Sequence, residues 1–406
     1  MSINKEYFNS RIFSLFVLVF EGFGIRIFQG VLDHAILIWT ALLLVVNFNH
    51  LKKVPFNIWL KFLAFCLFYY IFTTIKGVET QEFLYAGWLS ALCVLSNYID
   101  AKNNFIEDLF RFTKLCVIYS LLHVFIYVLF RPLLIRTNFG MNPLTFAYLF
   151  YFNGGEGFLG FPRIQGFCWE PSCWNALLNL NLALCLILKK SRKEILVSIL
   201  AIIFVFSTTG LAVMFIILIA YAALYSNKRN RKNLLIGFVL VALIYPIVSN
   251  NLKDKLSTGS GATRYGDFYV AAYVMETSPW LGGDLDNITD DPKAMLIKAQ
   301  NWGGDVNNLD QYHDVGMTNA FAGLFVEWGI PITLLIFFFM VSSPLYQDWK
   351  MATLISITLL CVLMGTPIAR TGFFYLFPLS GFLLQKKKNR KKTLTYENNF
   401  NYYRNL

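Results

Sequence analysis

Long apolar runs recur from one end of this chain to the other, and they limit its fold more than any other feature. A run of about 17–25 apolar residues spans a bilayer as a helix, because a helix satisfies its backbone polar groups within its own segment. Runs of this kind fall at roughly 12–29, 32–48, 55–75, 82–98, 109–131, 173–189, 194–208, 209–226, 233–250, 317–345, 350–366 and 371–385. They predict an all-α polytopic membrane protein of about 12 transmembrane helices, with residues 1–406 as one integral membrane domain. Between the seventh and eighth runs, "STTG" (207–210) has to serve as the turn. A β-barrel would show alternating segments of about ten residues, and none dominate here. The N-terminal "MSINKEYFNSR" lacks a small-residue cleavage site, so the first run reads as a retained helix.

Charge sets the orientation. The chain is 15% charged with a formal net charge of +11, and its basic residues sit between the apolar runs. That placement suits juxtamembrane anchors and argues against a nucleic-acid partner. "HLKK" (50–53), "KKSRK" (189–193), "NKRNRK" (227–232) and "KKKNRKK" (386–392) all fall on one side, which the positive-inside rule makes the cytoplasm. Both termini are then expected inside, with 386–406 as a basic cytoplasmic tail. Two long segments are left outside, 132–172 and 251–316, and the second carries five basic and ten acidic residues. Within it, Tyr265, Phe268, Ala272 and Met275 follow three- and four-residue steps, which predicts an amphipathic helix on the membrane surface. "SPWLGGDLDN" then reads as a turn region.

The seven cysteines are scattered singly, and Cys168 and Cys173 read as two unpaired thiols. No metal-ligand spacing and no phosphate loop is present, so neither a metal nor a cofactor is expected. Chemistry is concentrated in the two outer segments. Arg163 and Arg264, one in each, carry the planar donor fork that suits phosphate oxygens; lipid headgroups or loop carbonyls would satisfy the same forks. Glu170, just before Pro171, fits either a helix N-terminus or a general base at the membrane boundary. "YHDVGMTNAFAGLFVEWGIP" (312–331) gathers His313, Asp314, Thr318, Asn319 and Glu327. Thr318 and Asn319 have the groups to bind a sugar hydroxyl, and His313 is a candidate base or a solvated loop residue. Glu327, about two turns into a span, is either functional or paired internally with Arg26 or a neighbouring hydroxyl. Trp169, Trp280 and Trp302 serve as interface anchors or as platforms for sugar rings.

Four stretches, in order, resemble the Wzy-type O-antigen polymerase and O-antigen ligase superfamily of bacterial envelope glycan enzymes. They are "RIQGFCWEPSCWNALL", "FSTTGLAVMFIILIAY", "GATRYGDFYVAAYVMETSPWLGGD" and "TNAFAGLFVEWGIPI", and the likeness covers roughly residues 150–345. Thr318-Asn319 stands where the ligases carry His-Asn, with His313 five residues upstream. The resemblance implies a metal-independent glycosyltransferase that polymerises undecaprenyl-pyrophosphate-linked oligosaccharide repeat units on the outer face of the cytoplasmic membrane. It assigns Arg163 and Arg264 to the pyrophosphate and Glu170 to the family's Glu-Pro carboxylate, with membrane lipid and a chain-length regulator as partners. Two other readings stand beside it. A ligase would pass the same glycan to lipid A–core. A polysaccharide flippase or other transporter would show internal repeats and discontinuous helices near the bilayer midplane.

Overall fold

The computed structural model describes residues 9–24, 35–79, 81–99, 104–137, 143–153, 161–225, 260–284, 288, 291–302, 317–366 and 368–384. Its first half holds α1 (Ser10–Phe23), α2 (Ala35–Leu51), α3 (Phe56–Lys76), α4 (Glu82–Ser96) and α5 (Phe105–Phe130). After a short β segment come α6 (Pro171–Ile187), α7 (Arg192–Phe204) and α8 (Thr208–Tyr225). The second half holds α9 (Ser260–Thr277), α10 (Pro292–Trp302), α11 (Ala320–Ser342), α12 (Trp349–Leu363) and α13 (Gly372–Leu383). Among the described residues, four helices are long and apolar enough to cross a membrane: α3, α5 with its 3-10 extension to Leu133, α8 and α11. Five shorter apolar helices accompany them, and the chain is a mostly helical, multi-pass membrane protein. Eleven of the expected runs coincide with helices; 233–250 and 386–406 lie outside the described residues.

Burial separates the helices by role. Every residue of α6 is buried, although it contains Asn175, Asn179 and Asn181. A central helix in lipid needs polar partners for such groups, and it has them. Asn179 Nδ2 donates to Gly210 O of α8 at 3.0 Å, Asn181 Nδ2 to Thr113 Oγ1 of α5 at 3.0 Å, and Ser198 Oγ of α7 to Asn181 Oδ1 at 2.8 Å. By contrast α3 exposes Leu60, Leu63, Leu67, Phe68 and Ile71, the pattern of a lipid-facing helix. The turn before α8 lies at 205–207, so it meets "STTG" only at Ser207, and Thr208, Thr209 and Gly210 open the helix: Phe206 has φ +53° and Ser207 Oγ accepts from Gly210 N.

The all-α expectation needs a correction. Part of the first outer segment folds as an antiparallel four-stranded meander: β1 (Ile135–Arg136), β2 (Leu144–Phe146), β3 (Phe150–Asn153) and β4 (Arg163–Gly166). Strands of two to four residues are too short to show a period-2 pattern, and their aromatics read equally as interface anchors. Side chains of α5 hold the sheet. His123 Nε2 accepts from Tyr151 N at 3.2 Å, and Tyr119 OH donates to Leu149 O. The expected amphipathic helix is present as α9. Its Val270, Ala271 and Val274 pack with Ala322 and Val326 of α11, while Tyr265, Phe268 and Ala272 face outward; Met275, the fourth residue expected on that face, packs against the buried cluster instead.

Candidate functional site

The site begins where β4 turns into α6. Gly166 has φ +63°, and a Cβ there would lie 2.3 Å from the Trp174 ring, so only glycine lets the strand fold down over the start of the helix. Gln165 Nε2 donates to Trp169 O at 2.8 Å and Cys168 N to Gln165 O at 3.3 Å, which tightens the turn. Glu170 occupies the N-cap position with extended backbone, and Pro171 follows as the first helical residue. Yet its carboxylate caps no backbone N–H. Its Oε1 instead accepts from the Ser172 hydroxyl and from Cys173 Sγ at 3.7 Å. Glu170 therefore holds a cap's place without doing a cap's work. Cys168 and Cys173 are both buried free thiols, as the sequence implied.

Two arginines from distant segments face this carboxylate. Burial pushes the Arg163 guanidinium down from its ordinary pKa; Glu170 opposes that shift and Arg264 adds to it. Burial does the same to Arg264, opposed first by Glu170 and then by Asp267. Both remain cations, because a guanidinium does not deprotonate in a protein. Arg264 reaches from α9 into the bundle: Nη1 donates to Thr209 Oγ1 at 3.0 Å and Nη2 to Gly365 O at 2.7 Å. The Nε–H of Arg163 and that of Arg264 are both buried and have no acceptor among the described residues. A narrow cleft with a volume of about 10 Å³ lies between α6, α8 and α12, lined in part by Ser172, Asn179, Thr209 and Thr366.

Asp267, fully buried one turn after Arg264, fixes α9 in place. Its Oδ2 accepts from Thr318 N (2.8 Å), Thr318 Oγ1 (3.1 Å) and Asn319 N (2.8 Å). These N–H groups belong to the entry of α11, where a carboxylate is favoured. Asn319 is the N-cap of that helix, its Oδ1 accepting from Ala322 N at 3.2 Å, and its Nδ2 donates to Arg264 O at 3.4 Å. Thr318 and Asn319, expected at a sugar hydroxyl, are thus engaged in docking α9 on α11. Asp267 and Thr209 were not singled out from sequence, although Asp267 follows Arg264 at i+3 and Thr209 belongs to "STTG".

Glu327 belongs to a second cluster. Arg370 Nε donates to its Oε2 at 3.3 Å, so its cation is Arg370; the expected Arg26 lies outside the described residues. Lys76 Nζ donates to Glu327 O at 2.6 Å and to Gly283 O at 2.8 Å. The "PWLGG" turn is thereby pinned against "EWGIP". Gly329 breaks α11 with φ +68°, Gly283 N donates to Val326 O at 2.7 Å, and Ile330 N donates to Pro279 O at 2.9 Å. A Cβ on Gly282 would lie 2.2 Å from Val326 O, so this close approach needs glycine. Trp280 is exposed and Trp169 half-buried; His313 and Asp314 lie outside the described residues. Comparison of the chain with known proteins finds no family model that matches it and no curated relative.

Proposed function

We propose that the protein is a glycosyltransferase that polymerises oligosaccharide repeat units carried on undecaprenyl pyrophosphate, as the resemblance of its four motifs to the O-antigen polymerase superfamily suggests. The reading carries with it about 12 spans, cytoplasmic termini and a site on the outer face of a bacterial inner membrane. The observation that supports it best is the pair of buried guanidinium groups, each with an Nε–H left open, around one carboxylate. Two cations brought together from segments a hundred residues apart repel each other; Glu170 opposes that repulsion at both and Asp267 at Arg264, and the two open Nε–H groups remain for a further anion. A pyrophosphate bridging them would satisfy the open donors and offset the repulsion.

The chemistry follows from these groups. The acceptor hydroxyl oxygen attacks the anomeric carbon of the donor glycan. Its proton passes to Glu170, the new glycosidic bond forms, and the bond from the anomeric carbon to the pyrophosphate oxygen breaks. Charge grows on the departing pyrophosphate, where Arg163 and Arg264 stabilise it as preorganised donors. Ser172 and Cys173, bonded to Glu170 Oε1, orient the carboxylate away from the helix N–H groups.

One observation favours the transport reading: α11 is discontinuous at Gly329. Its released backbone groups are taken up by the docked "PWLGG" turn, which fills the break with protein and leaves less room there for a transported solute. Chain extension in proteoliposomes supplied with lipid-linked repeat units separates the readings. The Arg163→Ala and Arg264→Ala variants are each expected to accumulate normally and to extend chains roughly 10²–10³ more slowly, the scale of losing one transition-state donor. Wild-type protein that moves the lipid-linked unit across the membrane without lengthening it would overturn the polymerase reading.

A further inference from the structure

Glu21 lies near the end of α1, far in sequence from both charge clusters, and the proposed reaction does not use it. Both of its carboxylate oxygens are closed off from solvent, and neither is hydrogen-bonded among the described residues. The hydroxyls of Ser90 on α4 and Thr40 on α2 face it. Those two buried hydroxyls bond each other at 2.9 Å, and Thr40 Oγ1 donates to Ala86 O at 3.5 Å.

Among the described residues no counter-charge bonds the carboxylate; Arg370, beside the Thr371 side chain that meets Gly22, is bonded to Glu327. The packed helices α2, α4 and α13 contain neither lysine nor arginine. Their titratable side chains are His50 at the far end of α2, Glu82, Tyr85 and Cys93 on α4, and Tyr375 on α13. Of these, the Cys93 thiol feels the charge of Glu21. Arg11, three turns back on α1, is bound to Asp108 of α5 at 2.6 Å; on α5 itself, Lys114 is bound to Glu194 at 2.7 Å. A carboxylate faced only by hydroxyls is costly inside an apolar bundle, and carrying a cation offsets that cost.

We propose that Glu21, Thr40 and Ser90 form a membrane-embedded site for a monovalent cation, a proton or a sodium ion, between α1, α2 and α4. A carboxylate, two hydroxyls and the Ala86 carbonyl are all hard oxygen donors, as either cation requires. Loading neutralises the carboxyl and lets α1 seat against α2 and α4; unloading leaves a charge there. The site does not depend on the glycosyl-transfer reading.

The test uses the full-length protein in detergent and dicyclohexylcarbodiimide, which modifies protonated carboxyls in apolar surroundings, with the Glu21 peptide read by mass spectrometry. Glu21 is expected to be labelled in the folded protein, and labelling to fall about tenfold for each pH unit above its pKa. Sodium chloride, set against choline chloride at equal ionic strength, assigns the ion: specific protection means sodium, and pH dependence alone means a proton. Thr40→Val and Ser90→Ala are expected to shift the pH profile or weaken sodium protection, with Glu21→Gln as the unlabelled control. A Glu21 labelled only after denaturation, or labelled in the folded protein without regard to pH or salt, would overturn the proposal.

Discussion

The cluster of Arg163, Arg264 and Glu170 and the cluster of Lys76, Arg370 and Glu327 are built from the same parts, one carboxylate and two cations each. They differ in how the donors are used. Lys76 is committed to Gly283 O and Glu327 O, Arg370 is bonded to Glu327, and the whole group pins a turn into the break of α11. In the first cluster Arg264 is held by Thr209 and Gly365, yet both arginines keep an open Nε–H, and Glu170 bonds a hydroxyl and a thiol while capping nothing. Composition is therefore a poor guide to function in a membrane charge cluster. The open donors are what set the proposed pyrophosphate site apart from a cluster that stabilises the fold.

The largest expected effect falls on Glu170. Replacement by Gln removes the proposed base and leaves the helix start intact, because the side chain caps no N–H. Chain extension is expected to drop by roughly 10²–10⁴ at unchanged protein level, while Glu170→Asp keeps part of the activity. A Gln variant that extends chains normally would break the comparison from the first side and move attention to His313.

The second cluster should respond in stability. Lys76→Met or Glu327→Gln removes one member of a buried network, which costs about 3–5 kcal/mol when the partner charge is left behind. The expected result is a lower thermal midpoint in detergent and less accumulated protein, with activity per folded molecule retained. If Glu327→Gln leaves the midpoint alone and abolishes activity, Glu327 is a working carboxylate and the two clusters are not different in kind.

A smaller effect sharpens the same contrast. Thr209 Oγ1 receives one of the two bonds that orient Arg264. Thr209→Val should cost about 1.5–3 kcal/mol, the worth of a hydrogen bond to a charged group, read as a higher KM for the lipid-linked donor at unchanged protein level. An equal loss of stability would mean that Arg264 serves the fold as Arg370 does.

Much of this was legible in the sequence. Apolar runs mark helices because each run must satisfy its own backbone, so eleven of them could be placed without tertiary information. Arg163, Glu170 and Arg264 stood out because charge is rare in such a chain, and they do converge. What escaped depends on long-range pairing. The partner of Glu327 is 43 residues away, Lys76 bonds a carbonyl 251 residues away, and Thr318 docks on Asp267 51 residues away; no local spacing encodes these. The meander escaped because strands of two to four residues show no period, and β3 is positioned by His123 and Tyr119 of a preceding helix. The outward face of α9 could be read from its steps, but its seat on α11 could not.

The central claim is that Arg163 and Arg264 hold a pyrophosphate between them. Binding of a short-chain prenyl pyrophosphate to the purified protein, measured by calorimetry in detergent with the prenyl monophosphate as comparison, tests it most directly. The account predicts that wild-type protein prefers the pyrophosphate, that Arg163→Ala and Arg264→Ala each lose that preference, and that Glu327→Gln keeps it. Equal binding of the two lipids by wild-type protein, or an undiminished preference in either arginine variant, would contradict it.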